Sequence, residues 1–248
     1  MKKETEIQSL HELASLEMQE IVSLNNGQEP HTTIQLLTKE QKAQINKEIL
    51  LELGINITTQ NRMRFAMLWA FLFGHNKETK SFQENNNVPF DFTKGILIAG
   101  GTGIGKTCLM RWFLELTKRV LNCKVRMSTA SDVVSDFKQY GEAIIKRHGL
   151  GSFSQHAHRP IPNYNEPIHE YFDDLGTEEN VMIYGQKTDV FKQILTDRHR
   201  MFLEHGLFTF ASTNLNPTQL LERYGDRVDS RIKQMFNIWH IGGEDLRK

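Results

Sequence analysis

A parallel α/β fold is what this sequence predicts, and three observations carry the prediction. From Lys94 onward, short apolar segments alternate with helical stretches, the pattern of a parallel sheet covered by helices. The run Gly100-Gly101-Thr102-Gly103-Ile104-Gly105-Lys106-Thr107 completes G-x-x-x-x-G-K-[ST] between one such apolar segment and a helical one. Ahead of both, apolar residues recur at three- and four-residue spacings, which marks a helical region of a different kind.

In chain order, Ile7, Leu10, Leu13, Ala14, Met18, Ile21 and Val22 trace an amphipathic helix over 6–24, which Asn25-Asn26-Gly27 stops. Thr38-x-x-Gln41 resembles a capping box and opens a second helix running to Leu53, before Gly54. A third is expected over 61–73, followed by an Asn- and Lys-rich linker over 74–87 that leads to Pro89. Strands are then expected at 95–99, 124–128, 168–172, 207–212 and 236–241, with helices at 107–121, 131–148, 188–204, 217–224 and 226–236. Residues 149–165, rich in Gly, Pro, Ser, Asn and His, read as a long loop.

Composition narrows the function classes. The 248 residues are 39% hydrophobic and 24% charged, ordinary for a globular protein. The longest apolar run, Phe65 to Phe73, has nine residues, about half of what a helix needs to cross a bilayer. It reads as core, and no membrane partner is expected. No secretion signal follows the basic start, so the expected location is cytoplasmic. Lys plus Arg and Asp plus Glu both number 30, yet residues 1–60 carry five basic and nine acidic side chains and the remainder 25 and 21. An acidic arm thus precedes a mildly basic body. Two cysteines, Cys108 and Cys123, are too few for a disulfide framework or a four-ligand zinc site.

The glycine-rich run is the chemical centre. Its glycines let backbone N–H groups curl around phosphates at a helix N-terminus, where the dipole favours negative charge. Gly100 through Thr107 and the following Cys108 are the expected cofactor-binding residues, with Lys106 reaching the β- and γ-phosphates of ATP and the Thr107 hydroxyl holding Mg²⁺. A second acidic element is needed for the metal, and Ile168-His169-Glu170-Tyr171-Phe172-Asp173-Asp174 supplies one. Asp173 is the expected metal carboxylate and Asp174 the group that polarises the attacking water, because adjacent residues leaving a strand point to different sides. His169 and Glu170 are unusually polar for a central strand. Asn214, after the strand Leu207 to Thr213, is a candidate sensor of the γ-phosphate, although an Asn in that place also suits a turn.

Taken together, these residues resemble the AAA+ ATPases of the DnaC helicase-loader and IstB transposition-helper group. The match rests on the P-loop run, on Phe172-Asp173-Asp174-Leu175-Gly176, on Ser212-Thr213-Asn214-Leu215 and on the run from Glu222-Arg223-Tyr224-Gly225-Asp226-Arg227 to Ser230-Arg231, from about Phe90 onward. The resemblance implies a five-stranded parallel sheet with helices on both faces, no C-terminal lid, and three parts: a helical partner-binding region 1–60, a helix and linker 61–89, and an ATPase domain 90–248. It further implies that Arg231 is an arginine finger acting in trans in a homo-oligomer, with Arg227 one turn earlier on the same face. Asp174 stands where many AAA+ enzymes carry glutamate, which suggests slow hydrolysis.

The implied activity is ATP hydrolysis by an oligomer acting on DNA, first as a helicase loader on single strands and alternatively as an IstB-like regulator of transposition on duplex DNA. A replicative helicase or a transposase would then meet the N-terminal region. Lys124, Arg126, Lys138, Lys146 and Arg147 fall in a stretch with eight basic and four acidic side chains, and are candidate phosphate contacts, or else a solvated face. His156 and His158 alone lack the ligands of a metal site.

Overall fold

The computed structural model describes residues 37–73, 91–121, 123–150, 153–154, 161–162, 168–183 and 186–243. The expected helix over 6–24, the linker over 74–87 and His156 and His158 lie outside the described residues. The chain divides into two compact units, Met1–Phe92 with Cys108–Asn122, and Thr93–Thr107 with Cys123–Lys248.

In the first unit, α1 (Lys39–Glu52) begins as expected. The Thr38 hydroxyl accepts from the Gln41 N–H while the Gln41 side chain accepts from the Thr38 N–H, a complete capping box. Helix α2 (Arg62–Phe73) buries Phe65, Met67, Leu68, Ala70 and Phe73, so the long apolar run is core. The third member is α3 (Lys106–Leu121), from Cys108 on. Its Trp112 meets Phe65 edge-on at 4.8 Å between ring centroids and donates its indole N–H to Asn46 Oδ1 at 2.9 Å. Burying that N–H without an acceptor would carry a desolvation penalty.

The second unit is built on a five-stranded parallel sheet of β1 (Gly95–Ala99), β2 (Lys124–Thr129), β5 (Ile168–Asp173), β8 (Thr209–Thr213) and β9 (Phe236–His240), in the order β2-β5-β8-β1-β9. All five residues of β1 are buried, which requires cover on both faces. The helices are α4 (Ala130–Tyr140), α5 (Glu142–Gly149), α6 (Val190–His205), α7 (Pro217–Tyr224) and α8 (Asp226–Met235). Leu97, Phe172 and Ala211 of the sheet share one apolar cluster with Val134, Phe191, Ile194 and Ile232 of those helices.

Three departures from the expected elements have local causes. The single helix over 131–148 is two, α4 and α5, because the chain turns at Gly141 with φ of 63°. The long loop contains a two-residue pairing of β3 (Phe153–Ser154) with β4 (Ile161–Pro162), and β6 (Val181–Ile183) pairs with β7 (Gln186–Thr188) in a hairpin that periodicity did not reveal. Strand β5 extends through Asp173, one residue further than expected, because Thr129 of β2 pairs with it.

The polar start of β5 is also explained. Glu170 is fully buried and its register partner on β2 is Arg126, which donates to Glu170 Oε1 at 2.7 Å. His148 Nδ1 lies 3.2 Å from the other oxygen. Beside them Arg198 of α6, fully buried, donates to Thr209 Oγ1 at 2.9 Å and to the Phe208 carbonyl at 2.6 Å. Burial brings its guanidinium down to about 10, so it stays charged at neutral pH. A buried charge that meets opposite charge and carbonyl oxygens is tolerated where an isolated one would not be.

Candidate nucleotide site

The parallel order opens a crevice at the carboxyl end of β1, whose neighbours β8 and β9 lie on opposite sides, the position where such sheets bind ligands. The loop from Gly100 to Gly105 fills that position and α3 starts at Lys106. Gly103 and Gly105 have φ of 81° and 89°, values that side-chain-bearing residues rarely adopt, so both glycines are conformational requirements. Ile104 between them is 3% exposed, which leaves its backbone as the part that can face a phosphate. Thr102 is exposed, and Cys108, in the first turn of α3, is exposed as well. Burial raises the Cys108 thiol and nearby Arg111 partly offsets it.

Lys106, 5% exposed, turns its ammonium onto the carbonyls of Gly100 and Gly101, both at 2.8 Å, and onto Asn214 Oδ1 at 2.6 Å. Asn214 passes the connection on, its amide donating to Asp174 Oδ1 at 3.3 Å. Asp174 is the one described non-glycine residue with positive φ, 54°, and its N–H donates to Ser212 Oγ at 3.1 Å. Asp173 faces the other way. Its Oδ1 accepts from Thr107 Oγ1 at 3.1 Å, from the Tyr171 hydroxyl at 2.6 Å and from Ser212 Oγ. Lys106, Thr107, Asp173, Asp174 and Asn214, drawn from three separate stretches of sequence, thus form one bonded group.

A triphosphate and a hard divalent cation fit these residues. The buried ammonium is surrounded by oxygen acceptors it can exchange for phosphate oxygens, and a hydroxyl and a carboxylate stand together as oxygen ligands. Among the described residues no group of three or more His, Cys, Asp and Glu could hold a metal ion, so a cation here would lean on one hydroxyl, one carboxylate and the phosphates themselves.

Arg231 of α8 is outside this group; its guanidinium donates to Thr196 of α6. Arg227 is exposed. Of the basic residues considered for nucleic acid, Lys124, Lys138, Lys146 and Arg147 are exposed. Arg126 is not free for phosphate, because it is committed to Glu170 and to the Arg147 carbonyl at 2.6 Å. Nor is His148, which is 3% exposed.

Sequence reasoning missed Tyr171 and Ser212. The signal for Tyr171 was its place two residues before Asp173, hence the same face of a strand. It also missed a buried knot behind the acids. Glu178 Oε2 accepts from the Gly176 N–H at 2.7 Å, while Oε1 accepts from Arg223 at 2.8 Å and from the Tyr224 hydroxyl at 2.6 Å. Arg223 also donates to Asp189, the N-cap of α6, at 2.6 Å.

Fold and site together define a P-loop α/β fold, a parallel sheet with the phosphate-loop motif after its first strand. No family model matches the chain, and no curated protein matches it. Among solved structures it is similar to the DnaC helicase loader, at 19% identity over 75% of this chain and 92% of that one, with a TM-score of 0.49. A primosome component from Streptococcus pyogenes serotype M3 is similar at 16% identity over 76% of this chain and 82% of that one, TM-score 0.49. AMPPCP-bound DnaA from Aquifex aeolicus is similar at 17% identity over 78% of this chain and 50% of its own length, TM-score 0.48.

Proposed function

We propose that the protein is an ATP-hydrolysing AAA+ oligomer that acts on DNA as a loader of a replicative helicase. The observation that carries the ATPase reading is the chain of contacts Lys106–Asn214–Asp174, which ties the phosphate-binding lysine to the acid that would face the attacking water. Lys106 exchanges its loop carbonyls for β- and γ-phosphate oxygens, and Asn214 is released to sense the γ-phosphate. Thr107 and Asp173 hold the cation, which when bound neutralises charge developing on the phosphates. Asp174 accepts a hydrogen bond from the water and orients it for in-line attack. Arg231 supplies the remaining positive charge to the site of an adjacent copy.

The division into a partner-binding region 1–60, a helix and linker 61–89 and an ATPase domain 90–248 belongs to the same proposal. So does the choice of single-stranded DNA, with a helicase held by the N-terminal region. What supports the loader reading is the set of four motifs quoted above, above all the run from Glu222 to Arg231. An IstB-like role in transposition shares those motifs and calls for duplex DNA. Steady-state ATP hydrolysis at increasing protein concentration, without DNA and with single or double strands, separates the readings. Stimulation by single strands supports the loader, and stimulation by duplex alone supports the transposition role. A rate proportional to protein and indifferent to DNA overturns both.

A further inference from the structure

Asp173 presents an asymmetry that a generic metal carboxylate does not need. Among the described residues every hydrogen bond its carboxylate makes falls on Oδ1, and all three come from hydroxyls, those of Thr107, Tyr171 and Ser212. Tyr171 is 1% exposed and Ser212 fully buried, so neither hydroxyl has water as an alternative partner. Both approach from the sheet: Tyr171 lies two residues back on β5, and Ser212 on the adjacent β8. Three donors exceed what one carboxylate oxygen ordinarily takes, and they leave Oδ2 as the oxygen with open acceptor capacity.

Resting on the nucleotide-site reading above, we infer that Tyr171 and Ser212 are positioning residues for the metal: they lock the Asp173 carboxylate by Oδ1 so that Oδ2 is held ready for the cation. Ser212 has a second duty, since its oxygen accepts from the Asp174 N–H while its proton goes to Asp173. One hydroxyl therefore sets both acids against each other, the metal carboxylate by its side chain and the water-facing residue by its backbone.

Partners that orient a metal ligand typically change metal affinity by about ten- to a hundredfold when removed. The test is a titration of Mg²⁺ into the full chain with a fluorescent ATP analogue, alongside binding of the analogue in EDTA and thermal melting. Tyr171→Phe keeps the ring and removes only the donor. It is expected to raise the Mg²⁺ concentration for half-saturation roughly tenfold while EDTA binding and the melting temperature stay near wild type. Ser212→Ala should do the same and additionally slow turnover at saturating Mg²⁺, because it releases Asp174 as well. A half-saturation in Tyr171→Phe within twofold of wild type overturns the inference alone. Loss of EDTA binding in parallel with a lowered melting temperature in both variants overturns it too, because the role is then structural. If the wild-type protein binds the analogue with no response to Mg²⁺, the assignment of Asp173 to a metal fails, and this inference with it.

Discussion

Asp174 combines an unusual backbone with the role proposed for it of orienting the attacking water. Its φ of 54° lies in the left-handed region, where Asn and Asp are among the few side-chain-bearing residues found regularly. Asp174→Asn therefore keeps the backbone and removes only the negative charge. ATP turnover is expected to fall by about 10²- to 10³-fold with nucleotide affinity retained, measured by phosphate release and by equilibrium binding. His169 offers a second residue-level test. It is held neutral, pushed down to about 4 by burial first and then by the Arg198 charge, and its Nδ1 accepts from the Phe208 N–H at 3.0 Å. The unfolded chain takes up a proton near pH 6.5 and the folded chain does not until near 4. Stability from this group is thus full above 6.5 and falls as pH drops toward 4, by about 2 kcal/mol between pH 7 and 5. In urea denaturation His169→Gln, which preserves an acceptor, should lose that part of the pH slope. The surroundings of His169 were not legible in the sequence, because Arg198 and Phe208 lie far from β5 along the chain and only the fold unites them.

At the level of elements, the first helix cap was legible because it is local chemistry, whereas the break at Gly141 that divides the expected helix over 131–148 was not. The Thr38-Gln41 box needs only four residues, and the structure adds a second, Asn216-Gln219 with Pro217 at the first helical position, which the sequence reading did not single out. The hairpin of β6 and β7 was not legible, since three-residue strands carry too little period to count. Most consequential is the knot on Glu178, which joins the segment after the two acids to the end of α7 and the start of α6. The Arg223-Tyr224 portion of the motif is thus internal bracing behind the acids. The Glu178 side chain is 1% exposed, so Arg223→Met strands a buried carboxylate and should lower the unfolding free energy by about 3 kcal/mol in chemical denaturation. The double variant Arg223→Met with Glu178→Gln should recover part of that loss, because the stranded charge is gone.

For the whole molecule, five parallel strands and the phosphate loop were readable from the alternation of short strand-like segments with helical stretches and from one motif. Strand order was not, because it depends on pairings between distant segments such as Leu97 with Ala211. If Arg231 works in trans, Arg231→Ala and Lys106→Ala should each lose turnover, the former by about 10³-fold. Mixing the two should restore part of it, because one interface then pairs an intact arginine with an intact phosphate loop; phosphate release against mixing ratio reads this out. The position of β2 at the margin of the sheet carries one more consequence. Among the described residues no strand pairs with its outer edge, and an open strand edge can template pairing with another chain, which positive charge along the margin commonly deters. Exposed Lys124 opens that strand and puts a positive charge on the margin, whereas Arg126 is spent on Glu170.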